Sequence, residues 1–391
     1  MAGKKRKLKS LAETVTENKS MTMKEKKEKL ELQGWSDLPT ELLESITSSL
    51  TLDDNVRASV VCKRWHSVAI SVRVVNRSPW LMYFPNCANS HECVDPSIRK
   101  KGNLYEFYDP SLRKTHFIVL PEMNGCRVCY TKDGWLLLYK PRSHQLFFLN
   151  PFTREVIKLP TFELNLHVVA FSCAPTSTSC MLLTVKDIGP QTVAVSTCHP
   201  GASEWVTVNY QHHLPFPFYI GIMNKFVFCN GLFFCLSSND WLGVFDPLER
   251  TWNVLAVPPP KCTGKLLKDW WKGKYMTEHR GKILLIYACS RIANPIVFKL
   301  DQRNMVWEQM KTLDGVTFFA SFLSSHSRTD LSGLMKNNVY FPKVRNPGKH
   351  CISYSFDNCR YYPSKQCRDL GAHYSPENLW IEPPYDFTSF T

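Results

Sequence analysis

The stretch Leu242–Pro258, LGVFDPLERTWNVLAVP, decides the fold. Leu242 to Phe245 is an apolar, β-prone run. Asp246-Pro247-Leu248-Glu249-Arg250 supplies turn chemistry, and a second β-prone run starts at Thr251. The same strand–turn–strand pattern recurs as LYEFYDPSLRKTHFIVLP, LFFLNPFTREVIKLP, VAVSTCHPGASEWVTV, IVFKLDQRNMVWEQM and CISYSFDNCRYYP. The turn markers are Asp109, Asn150, His199, Asp246, Asp301 and Asp357, separated by 41, 49, 47, 55 and 56 residues. That period suits a four-stranded propeller blade. Trp205, Trp252 and Trp307 each stand six residues after their marker, so three consecutive repeats agree in detail. An apolar strand precedes several units and opens with glycine at Gly134, Gly231 and Gly281, as a tight turn with positive φ requires.

Six markers predict six blades. The first repeat offers only three strands, Trp80–Phe84, Leu104–Tyr108 and Thr115–Leu120. The tail Glu377–Glu382, which contains NLWIE, is expected either to supply the missing inner strand and close the ring or to extend over the surface. Closure would remove exposed sheet edges. The turns within the markers are short and uniform, whereas the connections at the other end of each blade vary, as binding loops on a rigid scaffold do. Segments 140–145, 186–191, 237–243, 289–295 and 342–350 carry Lys140, Arg142, Lys186, Arg291, Lys343, Arg345 and Lys349 against Asp187 and Asp240, net +5. The connection 258–274, PPPKCTGKLLKDWWKGK, adds net +4 and contains Lys265, Lys268, Trp270, Trp271 and Lys272. Arg and Trp are favoured interface anchors, and clustered cations suit acidic or phosphorylated segments. The expectation is a substrate-binding face that includes Arg142, Lys265, Lys268, Trp270, Trp271, Lys272 and Arg345.

Working back toward the N-terminus, Trp35 to Ala69 has a different texture. Pro39 suits a helix start, and Leu42, Leu43, Ile46 and Leu50 recur at helical spacing. Asp53 and Asp54 mark the start of a second helical segment that runs through Val56, Val60, Val61, Trp65 and Val68. A module of about 40 residues cannot bury this much apolar surface internally, so part of it should meet another surface. Leu38-Pro39, the Leu42/Ile46 face, Arg57 and Val61-Cys62-Lys63-x-Trp65 resemble an F-box, with Asn55 where many F-boxes carry an apolar residue. The resemblance implies docking on a Skp1-type adaptor, and through it on a cullin. Leu38, Pro39, Leu42, Ile46, Val60, Cys62 and Trp65 would make or support that contact. The repeats are similar to kelch-type propellers, without the kelch Gly-Gly doublet, and closer to the propeller that follows the F-box in many plant F-box proteins.

The fold class expected is therefore mainly β: a six-bladed kelch-like β-propeller over 76–391, preceded by an all-α F-box module over 35–75 and a disordered basic tail over 1–34. That tail holds ten Lys/Arg against five Glu, and Lys4-Lys5-Arg6-Lys7 reads either as a nuclear localisation patch or as a solvating run. Net charge is +14, and 44% of the 391 residues are apolar, enough for a large core. No apolar run is long enough for a membrane helix, and the start MAGKKRKLKS lacks a signal core, so the nucleus and/or cytoplasm is expected. The 15 cysteines lack framework spacing, and Cys180, Cys229, Cys235 and Cys289 sit in apolar runs as small hydrophobes of a reducing compartment.

No catalytic motif is present: there is no GxSxG, Walker-type loop, HExxH or GxGxxG. Cys126-Arg-Val-Cys129 has metal-like spacing, but a strand there would point its sulfurs to opposite faces. Cys87, His91 and Cys93 offer three ligands where zinc takes four. His212-His213 reads as a plain polar connection. No metal and no cofactor are expected. The function that the F-box resemblance implies is a non-catalytic substrate receptor of a Skp1–cullin–F-box ubiquitin ligase, and the basic loops suggest an acidic or phosphorylated protein as its unknown substrate. The rival reading, from charge and the aromatic-basic loop, is a nucleic-acid-binding propeller with steep salt dependence.

Overall fold

Asp246 ends a strand and turns the chain with its own carboxylate. Oδ1 accepts from the backbone N–H of Leu248 (2.8 Å) and Glu249 (3.2 Å). Asp109, Asn150 and Asp301 repeat this arrangement two and three residues on. In all four turns the residue four positions after the marker (Arg113, Arg154, Arg250, Met305) has φ between 51° and 64° and hands the chain to the next strand. In the sixth repeat Ser355, not Asp357, holds the corresponding place. Its Oγ accepts from Asn358 N (3.4 Å), and Cys359 has φ 49°. Asp357 instead accepts from the Asn337 amide at 3.0 and 3.1 Å. His199 also differs, since its Nδ1 lies 2.8 Å from the Cys180 carbonyl.

In the computed structural model the described residues are 35, 38–50, 58–71, 78–83, 103–165, 168–215, 217–220, 225–258, 260, 271–289, 294–331, 333–345, 350–362 and 378–383. The tail 1–34, Asp53, Asp54, Asn55, Arg57, the Cys87/His91/Cys93 cluster, Lys265, Lys268 and Trp270 lie outside them. The chain divides into two units, Met1–Val75 and Asn76–Thr391.

The second unit is a six-bladed propeller. Blade one holds β1 (Trp80–Tyr83), β2 (Leu104–Asp109) and β3 (Lys114–Val119); blade two holds β4 (Arg127–Lys132), β5 (Trp135–Lys140), β6 (Gln145–Leu149) and β7 (Val156–Lys158). Blade three holds β8 (Val168–Phe171), β9 (Leu182–Gly189), β10 (Thr192–Cys198) and β11 (Val206–Gln211). Blade four holds β12 (Phe226–Cys229), β13 (Leu232–Leu236), β14 (Leu242–Asp246) and β15 (Thr251–Val254). Blade five holds β16 (Trp271–His279), β17 (Lys282–Cys289), β18 (Ile296–Asp301) and β19 (Val306–Met310). Blade six holds β20 (Thr317–Phe319), β21 (His326–Arg328), β22 (Asn338–Arg345), β23 (His350–Ser355) and β24 (Arg360–Tyr362).

Blade interfaces are apolar. Tyr130, Phe148, Phe171, Val185 and Phe233 belong to one buried cluster, and Val227, Leu285, Phe298 and Leu300 to another. In blade four the repeated tryptophan explains a glycine. The Trp252 ring lies where a Cβ on Gly243 would stand, so mid-strand glycine makes room for the indole.

The last strand, β25 (Leu379–Ile381), pairs antiparallel with β1, and the sheet order is β25-β1-β2-β3. Trp380 is fully buried. Its Nε1 donates to the Ala320 carbonyl (3.0 Å), and its ring meets Phe319 edge-on with centroids 5.0 Å apart. His326 Nε2 lies 3.0 Å from the Trp380 carbonyl, and Arg328 binds Glu382 at 2.8 Å. Blade six thus grips the C-terminal strand on one side. On the other, Gly134 (φ 78°) approaches the Glu382 carbonyl so closely that an added Cβ would lie 3.0 Å from it.

Glu382 titrates with this closure. Burial alone would raise its pKa, but His326, Arg328 and Lys132 outweigh burial and bring it from 4.5 down to about 2. A depressed carboxylate stabilises the fold at pH above its unfolded value, and this contribution is lost as pH falls through the folded value. A shift of this size is worth on the order of 3–4 kcal/mol. We expect Glu382→Gln to lower the melting temperature at pH 7 and to flatten its decline between pH 4.5 and 2. Melting curves of both proteins across that range check this, and identical pH profiles would contradict it.

The first unit contains two helices among the described residues, α1 (Thr40–Ser49) and α2 (Lys63–Ser71). α1 starts just after Pro39, whose carbonyl accepts from the N–H groups of Leu42 and Leu43 at 3.1 Å. The single second helix expected from Val56 to Val68 is interrupted: Ala58 and Ser59 are helical, the chain turns at Val60–Cys62, and α2 follows. The Cys62 sulfur accepts weakly from Trp65 N (3.5 Å), covering one amide at the start of α2.

Candidate functional site

Leu43, Trp65 and Val68 form the core of the small helical unit, with Leu38, Ile46, Ala58 and Cys62 packed against it. The Trp65 indole N–H donates to the Trp35 carbonyl (3.0 Å), and the Thr47 hydroxyl to the Leu43 carbonyl (2.6 Å). The Trp65 indole and the Thr47 hydroxyl are therefore satisfied within the unit. The seven residues singled out in the sequence separate into two groups. Leu38, Ile46, Cys62 and Trp65 belong to the unit's own packing, while Pro39, Leu42 and Val60 face outward. Leu42 is 52% exposed and Val60 79% exposed.

Sequence reasoning missed Val61, which is 63% exposed beside Val60. The turn that breaks the helix there leaves both valines exposed. The available signal was the β-branched pair beside a weak helix former, just ahead of a cysteine able to accept an N-terminal amide. Burying three such side chains against a partner would contribute about 1.5–3 kcal/mol each.

The expected substrate face is more ordered at its base than the sequence implied. Trp271 and Lys272 open strand β16 instead of lying in the connection from 258, with a bulge between Trp271 and Gly273. Arg345 ends strand β22, and Lys186 lies within β9. Arg142 lies in a short 3-10 turn, Pro141–Ser143, and is exposed. Lys274 and Asp240, counted separately as loop charges, form an ion pair at 2.7 Å. Arg142 and Arg345 stand on blades two and six, at the ends of strands fixed by the sheets.

Inner strands β4, β12, β16, β21 and β25 meet around a cavity of about 180 Å³, with Lys132, Asp133, Glu278, His326, Arg328 and Glu382 on its wall. Acids and bases alternate there, and much of the wall is tied down internally. Thr277 Oγ1 donates to the Ser325 carbonyl (3.0 Å), and Ser327 Oγ to the Glu278 carbonyl (2.7 Å). Burial pushes the Asp133 carboxyl up, against the pull of Lys132. The groups here hold the ring together.

Cys180, Cys229 and Cys235 are buried, and burial raises their thiols to about 12, 11 and 12. Inert, protonated thiols of this kind pack as small hydrophobes. Cys129 is buried and Cys126 half-buried, and no group of three or more metal-binding side chains comes together among the described residues. His212 departs from the polar connection expected of it. It is buried, its ring meets Phe218 edge-on at 6.2 Å, and burial lowers its pKa. No helix among the described residues is long and apolar enough to cross a membrane.

Residues 35–75 match the F-box-like family model, and residues 107–369 match the KIB1-4 beta-propeller model. The chain is an F-box protein of the KIB1-4 β-propeller family. It is 42% identical to the F-box/kelch-repeat protein At1g57790 of Arabidopsis thaliana, over 90% of this chain and 95% of the relative. It is 42% identical to the F-box protein At3g56470 of the same plant, over 91% of each chain. Identity to the Arabidopsis F-box protein At4g00893 is 39%, over 90% of this chain and 87% of the relative. The F-box match falls on the helical unit, and the propeller match runs from β2 to just beyond β24, short of β1 and the closing strand β25.

Proposed function

We propose that this F-box protein is a non-catalytic substrate receptor of a Skp1–cullin–F-box ubiquitin ligase. The helical unit docks a Skp1-type adaptor and thereby a cullin, and the propeller loops hold a protein substrate. The observation that carries the reading is the outward-facing apolar trio Leu42, Val60 and Val61 on a helical unit that packs Leu43, Trp65 and Val68 into a core of its own. Surplus apolar surface on a small folded unit is paid for by a partner that covers it. Such a receptor works by proximity: holding substrate lysines near the ubiquitin-charged enzyme raises their effective concentration without a covalent step on this chain.

Co-purification with a Skp1-type adaptor tests the docking. Leu38→Ala/Pro39→Ala removes the side chain that packs the start of α1 and the residue that opens it, and is expected to reduce capture at least about tenfold. Capture indifferent to the double substitution would remove the reading's main support.

At the other end, substrate capture is assigned to the basic and aromatic residues Lys265, Lys268, Trp270, Trp271, Lys272, Arg142 and Arg345. Reversing the charge of Lys265, Lys268 and Lys272 together is expected to weaken substrate capture while leaving adaptor binding intact. Unchanged capture from a ubiquitylation-competent extract would reject that face. The run Lys4–Lys7 is assigned to nuclear entry, with action in the nucleus and/or cytoplasm.

A further inference from the structure

Blade six is built differently from the others, and the difference opens a cleft. β19 ends at Met310, level with Val297, Ile286 and Tyr275 across blade five. The next strand, β20, begins at Thr317, opposite Arg328 of β21. β21 runs alongside β16 in the same direction: Thr277 bonds Ser325, His279 Nδ1 lies 2.9 Å from Ser327 Oγ, and Arg280 donates to Thr329 Oγ1 at 3.0 Å. Thr317 therefore lies at the end of the propeller where β16 turns into β17, and Met310 lies nearer the other end. Residues 311–316 must climb along blade five to join them. In blades two to five the first strand lies directly beside the second; here the extra strand β20, parallel to β22, forces the detour.

The climbing segment and the face of blade five enclose a cleft of about 390 Å³. Its floor is apolar, from Leu284, Leu313 and Val316, and its rim carries Arg280, Lys282, Lys299 and Lys311 against Glu308 and Asp314. Three of these charges are engaged: Lys299 pairs with Glu308 at 3.1 Å, and Asp314 accepts from the Thr312 hydroxyl at 2.6 Å. Arg280 donates to the neutral Thr329 hydroxyl and has no ion-pair partner among the described residues. Lys282 and Lys311 are exposed and have no acidic partner among the described residues. The interface between blades four and five, by contrast, is filled by Val227, Leu285, Phe298 and Leu300.

We propose that this cleft between blades five and six binds a phosphorylated side chain presented by an extended protein segment. With Lys299 and Glu308 paired, Arg280, Lys282 and Lys311 outnumber Asp314 on the rim, in a space whose volume falls in the ordinary range of ligand pockets, about 300–1,000 Å³. A phosphoryl group is a near-dianion with three acceptor oxygens and draws charge-assisted hydrogen bonds from Arg and Lys together. The apolar floor takes a residue next to the phosphorylated one. The receptor reading supplies only the carrier of the phosphate, a substrate protein.

The test uses the full-length protein and a fluorescent, otherwise neutral peptide carrying one phosphoserine, with its serine and glutamate versions and inorganic phosphate as competitors. Fluorescence anisotropy is expected to show the phosphopeptide binding at least about tenfold tighter than the serine peptide and weakening with added salt. Lys282→Glu/Lys311→Glu should abolish that preference, while Lys114→Ala/Lys158→Ala, exposed on blades one and two, leaves it unchanged. Glu308→Gln frees Lys299 and should tighten phosphopeptide binding several-fold, a gain that misfolding cannot imitate. Equal binding of serine and phosphoserine peptides, or a phosphate preference that survives Lys282→Glu/Lys311→Glu, overturns the site. Competition by inorganic phosphate as strong as by the phosphopeptide overturns the peptide part. Adaptor capture by Lys282→Glu/Lys311→Glu should equal wild type; if adaptor capture fails even in wild type while the phosphopeptide binds, the ligase reading falls and this site stands.

Discussion

Trp380→Ala is expected to destabilise the propeller by about 3–5 kcal/mol, the usual cost of emptying a buried tryptophan site. Three losses combine. The indole leaves a cavity among Phe319, Tyr340 and Leu81, all in one buried cluster. The Ala320 carbonyl loses the donor that reaches it at 3.0 Å. The strand that carries the residue spans only Leu379–Ile381, so few other contacts compensate. Because β25 pairs with β1 on one side and is gripped by β21 on the other, its release opens the ring at one seam. Thermal unfolding followed by circular dichroism should show a melting temperature lower by several degrees, and a shift below about 1 °C would mean that the ring holds without this clasp.

The blades could be read because one turn is used repeatedly. A side-chain acceptor at the strand end binds the amides two and three residues on, which restricts the position to Asp, Asn or Ser and leaves a visible period. The repeat blurs where another residue solves the same problem: Ser355 takes the place given to Asp357, and His199 binds across to Cys180. Blade six hid its extra strand because β20 and β21 are each three residues long, and a hairpin that short has no periodicity to read. The three-stranded first repeat, by contrast, advertised a vacancy, and the NLWIE tail was the apolar segment left to fill it.

The helical unit was legible to a different degree. Helical spacing identified the apolar residues of α1 but did not say which would be enclosed, because Leu42 and Leu43 are adjacent and only packing separates them: Leu43 is 0% exposed and Leu42 is 52% exposed. The break at Val60–Cys62 was passed over because its signal, a β-branched pair, is weak: such residues are tolerated both in helices and at their ends. On the propeller, counting loop charges overstated the free cations, since Lys274 and Asp240 cancel one another at 2.7 Å. The Arg280–Lys282–Lys311 group went unnoticed because Lys311 lies far from the other two in sequence and joins them through the detour at 311–316.

The second large effect is on docking. Leu42→Asp, Val60→Asp and Val61→Asp each place a charge on a surface that the account assigns to an apolar partner. None of the three belongs to the core of Leu43, Trp65 and Val68, so the helical unit should keep its fold. Losing about 1.5–3 kcal/mol of burial per residue, with the added cost of desolvating a carboxylate, predicts at least a hundredfold weaker adaptor binding for Val60→Asp/Val61→Asp. Leu43→Ala should also reduce capture, but by unfolding the unit, and so together with its helical signal.

The most direct test is a titration of purified Skp1-type adaptor into the wild-type chain and into Val60→Asp/Val61→Asp, with helix content and melting temperature recorded on the same samples. Tight wild-type binding that disappears in the variant while helix content and melting are unchanged is the expected result. Equal affinity in both would show that the exposed valines face no adaptor and would contradict the docking on which the receptor function stands.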